Sequence, residues 1–256
     1  MTDSAISLSI ERLSTAERVA DALREQLLSG AIAPGTPIRD VELSARAGVS
    51  RTTVREALAV LAREGLLTHS LHRGMEVARL ACADVRDIYA ARQVIERVAV
   101  ESLIAVPEGN LDGLERALHD MNKATARRNG RQVVEADVAF HTALVATLGN
   151  RRLRTAVVGA LMELRLVLSV TDRANDDLDD QLRQHRELLE LFRKRSPESI
   201  TVLEEHLRDS ETMVCAAIEA TDHQEGGLPG RPLTSLRETG DEQSPPASRI
   251  RDRQER

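Results

Sequence analysis

The stretch from Leu43 to Leu58, Leu-Ser-Ala-Arg-Ala-Gly-Val-Ser-Arg-Thr-Thr-Val-Arg-Glu-Ala-Leu, constrains the fold more than any other part of the chain. It reads as two short helices joined by a tight turn. Leu43 and Ala47 are expected to face inward from the first. Gly48 supplies the turn, because a residue without Cβ enters the left-handed region without a steric penalty. Ser50 is a good N-cap for the second helix, and Val54, Leu58 and Leu61 recur at helical spacing on one face. That leaves Arg51, Thr52, Thr53 and Arg55 on the outward first turns. This is the layout of a helix-turn-helix, whose second helix presents its N-terminal residues to base edges in the major groove. Arginine suits guanine O6 and N7 or phosphate, and the hydroxyls of Ser50, Thr52 and Thr53 suit phosphate or bases. Taken alone, the stretch is also compatible with an ordinary helix pair.

The flanks favour DNA. Gly65-Leu66-Leu67-Thr68 and Arg73-Gly74-Met75-Glu76-Val77 are two apolar runs around a loop holding His72, Arg73 and Gly74, which predicts a β-hairpin. A hairpin directly after a recognition helix is a wing, and Arg73 at its tip is placed to enter a minor groove. Upstream, Ser14-Thr15-Ala16-Glu17 is a capping box that opens a helix to about Ser29, with Val19, Leu23, Leu27 and Leu28 as its apolar face. Pro34, Gly35 and Pro37 make the turn into the helix-turn-helix. Residues 1–11 lack periodicity and are expected to be a flexible N-terminus. Residues 12–79 form the expected winged domain of three helices plus a hairpin, followed by a linker at 80–83.

From Asp84 to about Thr221 the pattern is helical throughout. Breaks at Pro107, Asn129-Gly130, Gly149-Asn150, 173–177 and Ser196-Pro197 divide it into six helices, with lengths that pack as an antiparallel bundle of six to seven helices. The expected fold class is therefore mostly α. From Asp222 to the end, Gly, Pro, Ser and charge dominate, which predicts a disordered tail. Its six Arg against seven acids make it a poor DNA arm.

Charge and composition narrow the function. The net charge of −6 does not itself argue for DNA, but Arg46 to Arg63 holds four Arg against one Glu. An acidic body with a locally basic head is compatible with operator binding. The aromatics are Tyr89, Phe140 and Phe192, with no Trp. That excludes the stacking platforms of single-strand binders and favours a core of Leu, Val and Ala. Cys82 and Cys215 are isolated, so neither a disulfide framework nor a CxxC site is suggested. No signal-peptide core and no apolar run near about 18 residues occurs, so a cytoplasmic chain without membrane association is expected.

A second constellation lies in the helical part. Asp137-Val138-Ala139-Phe140-His141 puts a carboxylate and an imidazole at i and i+4 on one helix face. His185 and His206 sit in the middle of two later helices. One Asp and three His from three helices can converge inside a bundle, where metal sites are commonly built. Such a set suits Zn²⁺, Ni²⁺ or Mn²⁺ better than Ca²⁺ or Mg²⁺. Each His taken singly is equally a satisfied core or surface residue. His69, His72, His119 and His223 read as exposed, with His72 able to touch DNA from the wing, and Cys215 reads as buried packing.

Residues 16–78 resemble the winged helix-turn-helix of the GntR family of bacterial transcription regulators. The matching pieces are Gly30 to Gly35, Leu43, Gly48-Val49-Ser50-Arg51-Thr52, Val54-Arg55-Glu56-Ala57-Leu58, Leu61, Glu64-Gly65-Leu66 and Arg73-Gly74. Thr53 stands where many members have Pro, and Thr also occurs there in the fatty-acid-responsive branch. Val41 stands where many have a DNA-contacting Arg, with Arg39 nearby. Residues 84–219 resemble the FCD effector domain through Arg92, Glu96, Asp137, Phe140, His141, Gly149-Asn150, His185 and His206-Leu207. By that resemblance Asp137, His141, His185 and His206 are ligands of a divalent metal, zinc first, with nickel and manganese as alternatives. Arg92 would face the pocket and pair with an effector carboxylate, for which an Arg fork is suited. Arg92 read on its own is a solvated residue or an ion pair with Glu96, and Arg165 is a further pocket candidate on helical position alone.

The resulting expectation is a ligand-responsive homodimeric regulator. It would bind near-palindromic double-stranded operator DNA, act as a repressor, and answer to a small carboxylate effector. An acyl-CoA effector without metal, a direct metal sensor and a metal-dependent hydrolase are the alternatives. The hydrolase lacks a suitably placed general base and leaves the DNA-binding head unexplained, so no enzymatic activity is expected.

Overall fold

The computed structural model describes residues 14–70, 74–106, 110–170 and 177–225. Helix α1 (Thr15–Leu28) starts at the capping box: Ser14 Oγ accepts from Glu17 N at 3.1 Å, and Ser14 N donates to the Glu17 carboxylate at 2.6 Å. Its apolar face buries Leu23, Leu27 and Leu28 against α3 (Arg51–Arg63), which contributes Val54, Ala57, Leu58 and Leu61. Between them lies α2 (Asp40–Ala47), closed by Gly48 at φ +66°. Leu43 is half-buried, but Ala47 is exposed, contrary to the inward face expected for it. This short helix meets the core through its middle, at Leu43 and Ser44, and its last turn is left exposed.

Strands β2 (Leu67–Ser70) and β3 (Gly74–Val77) form the expected antiparallel hairpin, with Leu67 opposite Val77 and Ser70 opposite Gly74. A third strand, β1 (Pro37–Ile38), pairs with the other edge of β3 and gives the order β1-β3-β2. Sequence reading placed a plain turn there. Two residues carry no periodicity of their own, and Pro37 is tolerated because β1 is an edge strand. The hairpin tip lies outside the described residues, and with it His72 and Arg73.

Six helices follow: α4 (Cys82–Ala105), α5 (Asp112–Ala126), α6 (Gly130–Ala146), α7 (Arg151–Val170), α8 (Leu178–Arg193) and α9 (Glu198–Glu225). The boundaries match the sequence breaks for local reasons. Asn129 Oδ1 accepts from Gln132 N to open α6, and Asn150 Oδ1 accepts from Arg152 N and Leu153 N to open α7. Two boundaries differ from expectation. Cys82 and Ala83 belong to α4 and not to a linker, because the Asp84 carboxylate accepts from Ala81 N at 2.9 Å and draws the first turn back. At the other end, α9 runs on to Glu225, four residues into the expected tail. Residues 1–13 and 226–256, which hold the expected loose N-terminus and most of that tail, lie outside the described residues.

The bundle core is built on Val85, Val100, Phe140, Leu144, Leu188, Phe192, Leu203 and Leu207. A smaller cluster of Met121, Ala124, Val133, Ala136, Leu178 and Leu182 closes the α5–α6–α8 side. Helix α7 serves both halves. Leu161, Leu164 and Val167 join the bundle core, while Leu166 is buried in the core of the winged domain.

Candidate functional site

The four predicted ligands converge. Asp137 and His141 stand one turn apart on α6, His185 comes from α8 and His206 from α9, and one ligand atom from each lies within 4.8 Å of all the others. The three imidazoles are buried, and Asp137, with 28% of its side chain exposed, is the member that solvent reaches. Phe140 forms one wall, edge-on to His185 with 4.9 Å between ring centres.

The hydrogen bonds behind the rings decide which nitrogen faces inward. His185 Nδ1 is 2.8 Å from the Gln181 carbonyl, which can only accept, so Nδ1 carries the proton. His141 Nδ1 donates to Glu96 Oε2 at 2.6 Å, and His206 Nδ1 donates to Gln184 Oε1 at 2.7 Å. Every Nε2 therefore presents a lone pair to the centre when its ring is neutral. There His185 Nε2 stands 3.0 Å from Asp137 Oδ1 without forming a hydrogen bond, His141 Nε2 stands 3.6 Å from the same oxygen, and His206 Nε2 stands 3.4 Å from His141 Nε2. Lone pairs facing one another at such distances repel unless a cation or protons lie between them. Two ligands each about 2.1 Å from one ion are about 3.0 Å apart at a right angle and about 3.4 Å apart at the tetrahedral angle, which these three distances approach, while the widest spacing in the cluster, up to 4.8 Å, would have to close around an ion. The cluster could hold a metal ion.

Without an ion, electrostatics set the members apart, and His141 keeps a proton that a metal would have to displace from Nε2. Burial opposes the Asp137 charge, but His141 and His185 overcome it and hold the carboxyl well below the usual range. Burial also disfavours charge on His141, and Glu96 reverses the effect, raising it to about 8. His206 is driven well below the ordinary imidazole range by burial and by the neighbouring His185 and His141, so it is neutral and ready to ligate.

From the sequence, Glu96 is an ion-pair partner of Arg92 and one of the residues that match the FCD domain. In the fold it bridges two functional groups: Oε1 accepts from Arg92 Nε at 2.8 Å while Oε2 holds His141. Gln181 and Gln184, which orient His185 and His206, were missed altogether. The partner of His185 is the backbone carbonyl of Gln181, which any residue one turn back in a helix would supply, so no side-chain pattern marks it. Arg92 is buried and not solvated. Its guanidinium lies 4.8 Å from the Tyr89 ring centre, and Nη2 has no hydrogen-bond partner. A buried guanidinium with an unused donor is suited to an incoming anion. Arg165 instead pairs with Glu135 of α6 at 3.1 Å, two residues before Asp137.

At the other end of the molecule, α3 presents the predicted reading face. Ser50 Oγ accepts from Thr53 N at 3.1 Å and lies 2.8 Å from Thr53 Oγ1, so its hydroxyl is committed to the cap. Arg51, Thr52 and Arg55 are exposed, and Thr53 is half-buried. Arg51 and Arg55 both reach Asp40, a contact that sequence reading missed. Arg39 is exposed and pairs with Glu42 at 3.3 Å. Gly74 sits at φ +83°, where only glycine is unstrained. Of the remaining histidines, His69 and His119 are exposed. Cys82 and Cys215, far apart in sequence, are neighbours, each thiol facing the other's carbonyl at 3.5 and 3.7 Å.

Comparison with known proteins places this architecture. The family model for bacterial regulatory proteins of the gntR family matches residues 15–77, and the FCD domain model matches residues 87–209. The HTH-type transcriptional regulator YdhC of Bacillus subtilis is 31% identical over 183 residues, covering 69% of this chain and 80% of that protein. The chain belongs to the GntR family. It is a DNA-binding transcription regulator with an FCD effector domain. Other GntR relatives include the repressor RspR of Escherichia coli, 28% identical over 75% of this chain and 86% of that protein. The gluconate operon transcriptional repressor of Bacillus licheniformis is 30% identical over 67% of this chain and 71% of that protein. The crystal structure of a GntR transcriptional regulator from Rhodococcus sp. RHA1 superposes with a TM-score of 0.74 at 28% identity, covering 80% of this chain and 99% of that one. Among the described residues of this GntR regulator, no helix is long and apolar enough to cross a membrane.

Proposed function

We propose that this GntR regulator is an operator-binding repressor whose FCD bundle holds a divalent metal and a small carboxylate effector. The observation that carries the reading is the arrangement of the imidazoles: all three Nδ1–H groups are tied to acceptors outside the cluster, while His141 and His185 Nε2 face the Asp137 carboxylate and His206 Nε2 faces His141 Nε2. Asp137, His141, His185 and His206 would be the ligands. The nitrogen-rich donor set suits zinc first, then nickel or manganese. When bound, the metal supplies a fixed positive charge and open coordination for a carboxylate. Arg92 supplies the second anchor through its unused Nη2, oriented by Glu96 and Tyr89. The gluconate operon repressor among the relatives is named for a sugar acid, which fits a carboxylate ligand.

The reading head is α3, with Arg51, Thr52, Thr53 and Arg55 at the base edges, Ser50 fixing the first turn, and Arg39, His72, Arg73 and Gly74 at the flanking backbone and wing. Two heads in a two-fold dimer would span a near-palindromic operator, and the effector would act by favouring one arrangement of the heads. Elemental analysis of the wild type and of His185→Ala tests the pocket. About one metal per chain in the wild type, lost in the variant, is expected. A wild type that cannot be loaded overturns the metal assignment. Operator affinity measured against carboxylates at constant metal separates an effector-responsive regulator from a direct metal sensor.

A further inference from the structure

Asp40 is the first residue of α2, and its carboxylate points across the turn to α3. Oδ2 accepts from Arg55 Nε at 2.6 Å and lies 3.2 Å from Arg51 Nη2, which is also 3.3 Å from Oδ1. The Asp40 side chain is only 21% exposed, whereas those of Arg51 and Arg55 are 54% and 64% exposed. One sheltered acid therefore ties together both arginines of the reading face, which are themselves one helical turn apart. Without it, two like charges at i and i+4 would repel and spread over many rotamers.

The way each arginine is held matters for reading bases. Arg55 gives up its Nε–H and keeps both terminal nitrogens, the part of the fork that meets guanine O6 and N7. Arg51 gives up one terminal nitrogen and keeps the remaining edge. At the same time the carboxylate cancels one positive charge of the head, which weakens its attraction to phosphate of any sequence. The carboxyl is held below its ordinary range, first by the bond from Arg55.

We propose that Asp40 is a specificity-determining positioning residue, which aligns Arg51 and Arg55 for base edges and suppresses sequence-independent binding. The inference rests on α3 being the reading helix. An Asp40→Asn variant loses the charge and keeps the shape. On the full-length chain its operator-to-scrambled affinity ratio should fall by roughly tenfold or more, the scale of one arginine–guanine pair. Its affinity for scrambled duplex should rise, with a salt slope steeper by about one per head.

The probe is an operator duplex selected from random DNA with the wild-type chain, against a scrambled duplex of the same composition, by fluorescence anisotropy over a salt series. Asp40→Glu should recover most of the ratio, which a simple loss of folding would not allow. A ratio that stays at the wild-type value in Asp40→Asn, whether both affinities rise or fall together, overturns the role of Asp40. If Arg51→Ala and Arg55→Ala also keep the wild-type ratio, α3 is not the reading helix and the wider assignment fails as well. If those two lose it while Asp40→Asn keeps it, only the role of Asp40 is lost.

Discussion

Replacing Glu96 with Gln tests the bundle site at its support. Glu96 is fully buried and accepts from Arg92 at 2.8 Å and from His141 at 2.6 Å. Glutamine keeps the volume and one oxygen, but it removes the charge that Arg92 faces and cannot accept on both ends. Breaking a buried ion pair from one side costs about 3–5 kcal/mol, because the remaining charge stays desolvated. Against a total domain stability of about 5–15 kcal/mol, the variant should still fold, but less tightly. The proposed ligand His141 also loses a carboxylate behind its Nδ1, and loss of such a partner lowers metal affinity about 10- to 100-fold. Urea unfolding of the metal-free chain and calorimetric zinc titration read the two effects separately. Adding Arg92→Met to Glu96→Gln should restore stability by removing the stranded guanidinium, without restoring metal affinity. A Glu96→Gln protein within about 1 kcal/mol of wild type, with unchanged zinc affinity, would refute the bridging role.

Three further outcomes follow from the packing. Ser50→Ala removes the cap of α3 at Thr53 N and should lower stability by about 0.5–2 kcal/mol in urea unfolding while weakening operator binding, because the first turn carries the reading face. Gly65→Ala places a methyl at φ +78° and 2.5–2.6 Å from the Glu163 side chain of α7. The left-handed cost alone is about 1–2 kcal/mol, and a lower thermal midpoint for the winged domain should be seen by calorimetry. Leu166→Ala empties a buried position where α7 enters the core of the winged domain, and should cost about 2–5 kcal/mol, with proteolysis now cutting between the two halves faster than within either.

Much of this molecule is legible residue by residue. The caps at Ser14, Ser50 and Asn129 open their helices by bonding to the backbone N–H three residues on, so they act wherever they occur. The breaks at Gly149-Asn150 and Ser196-Pro197 are equally local. The four candidate ligands were legible as residue types on helices, and the resemblance to the FCD domain grouped them. Glu96 as the shared support was not legible, since it stands 45 positions from His141. Asp40 looked like an ordinary first-turn acid, and only the crossing of α2 and α3 reveals that it binds two arginines. Strand β1 borrows its conformation from the edge of β3, and Ala47 is exposed because α2 meets the core with its middle.

The sequence by itself determined the order of helices, the winged head followed by an all-helical domain, and the residue types available for DNA and metal. Those depend on 3.6-residue periodicity, backbone capping and side-chain chemistry, all set within a few residues. Only the tertiary structure decided which nitrogen of each imidazole faces the centre, that Arg92 keeps a buried donor unused, and that one acid holds both reading arginines. Those depend on which distant acceptor lies behind each donor, and packing sets that partner where local sequence does not.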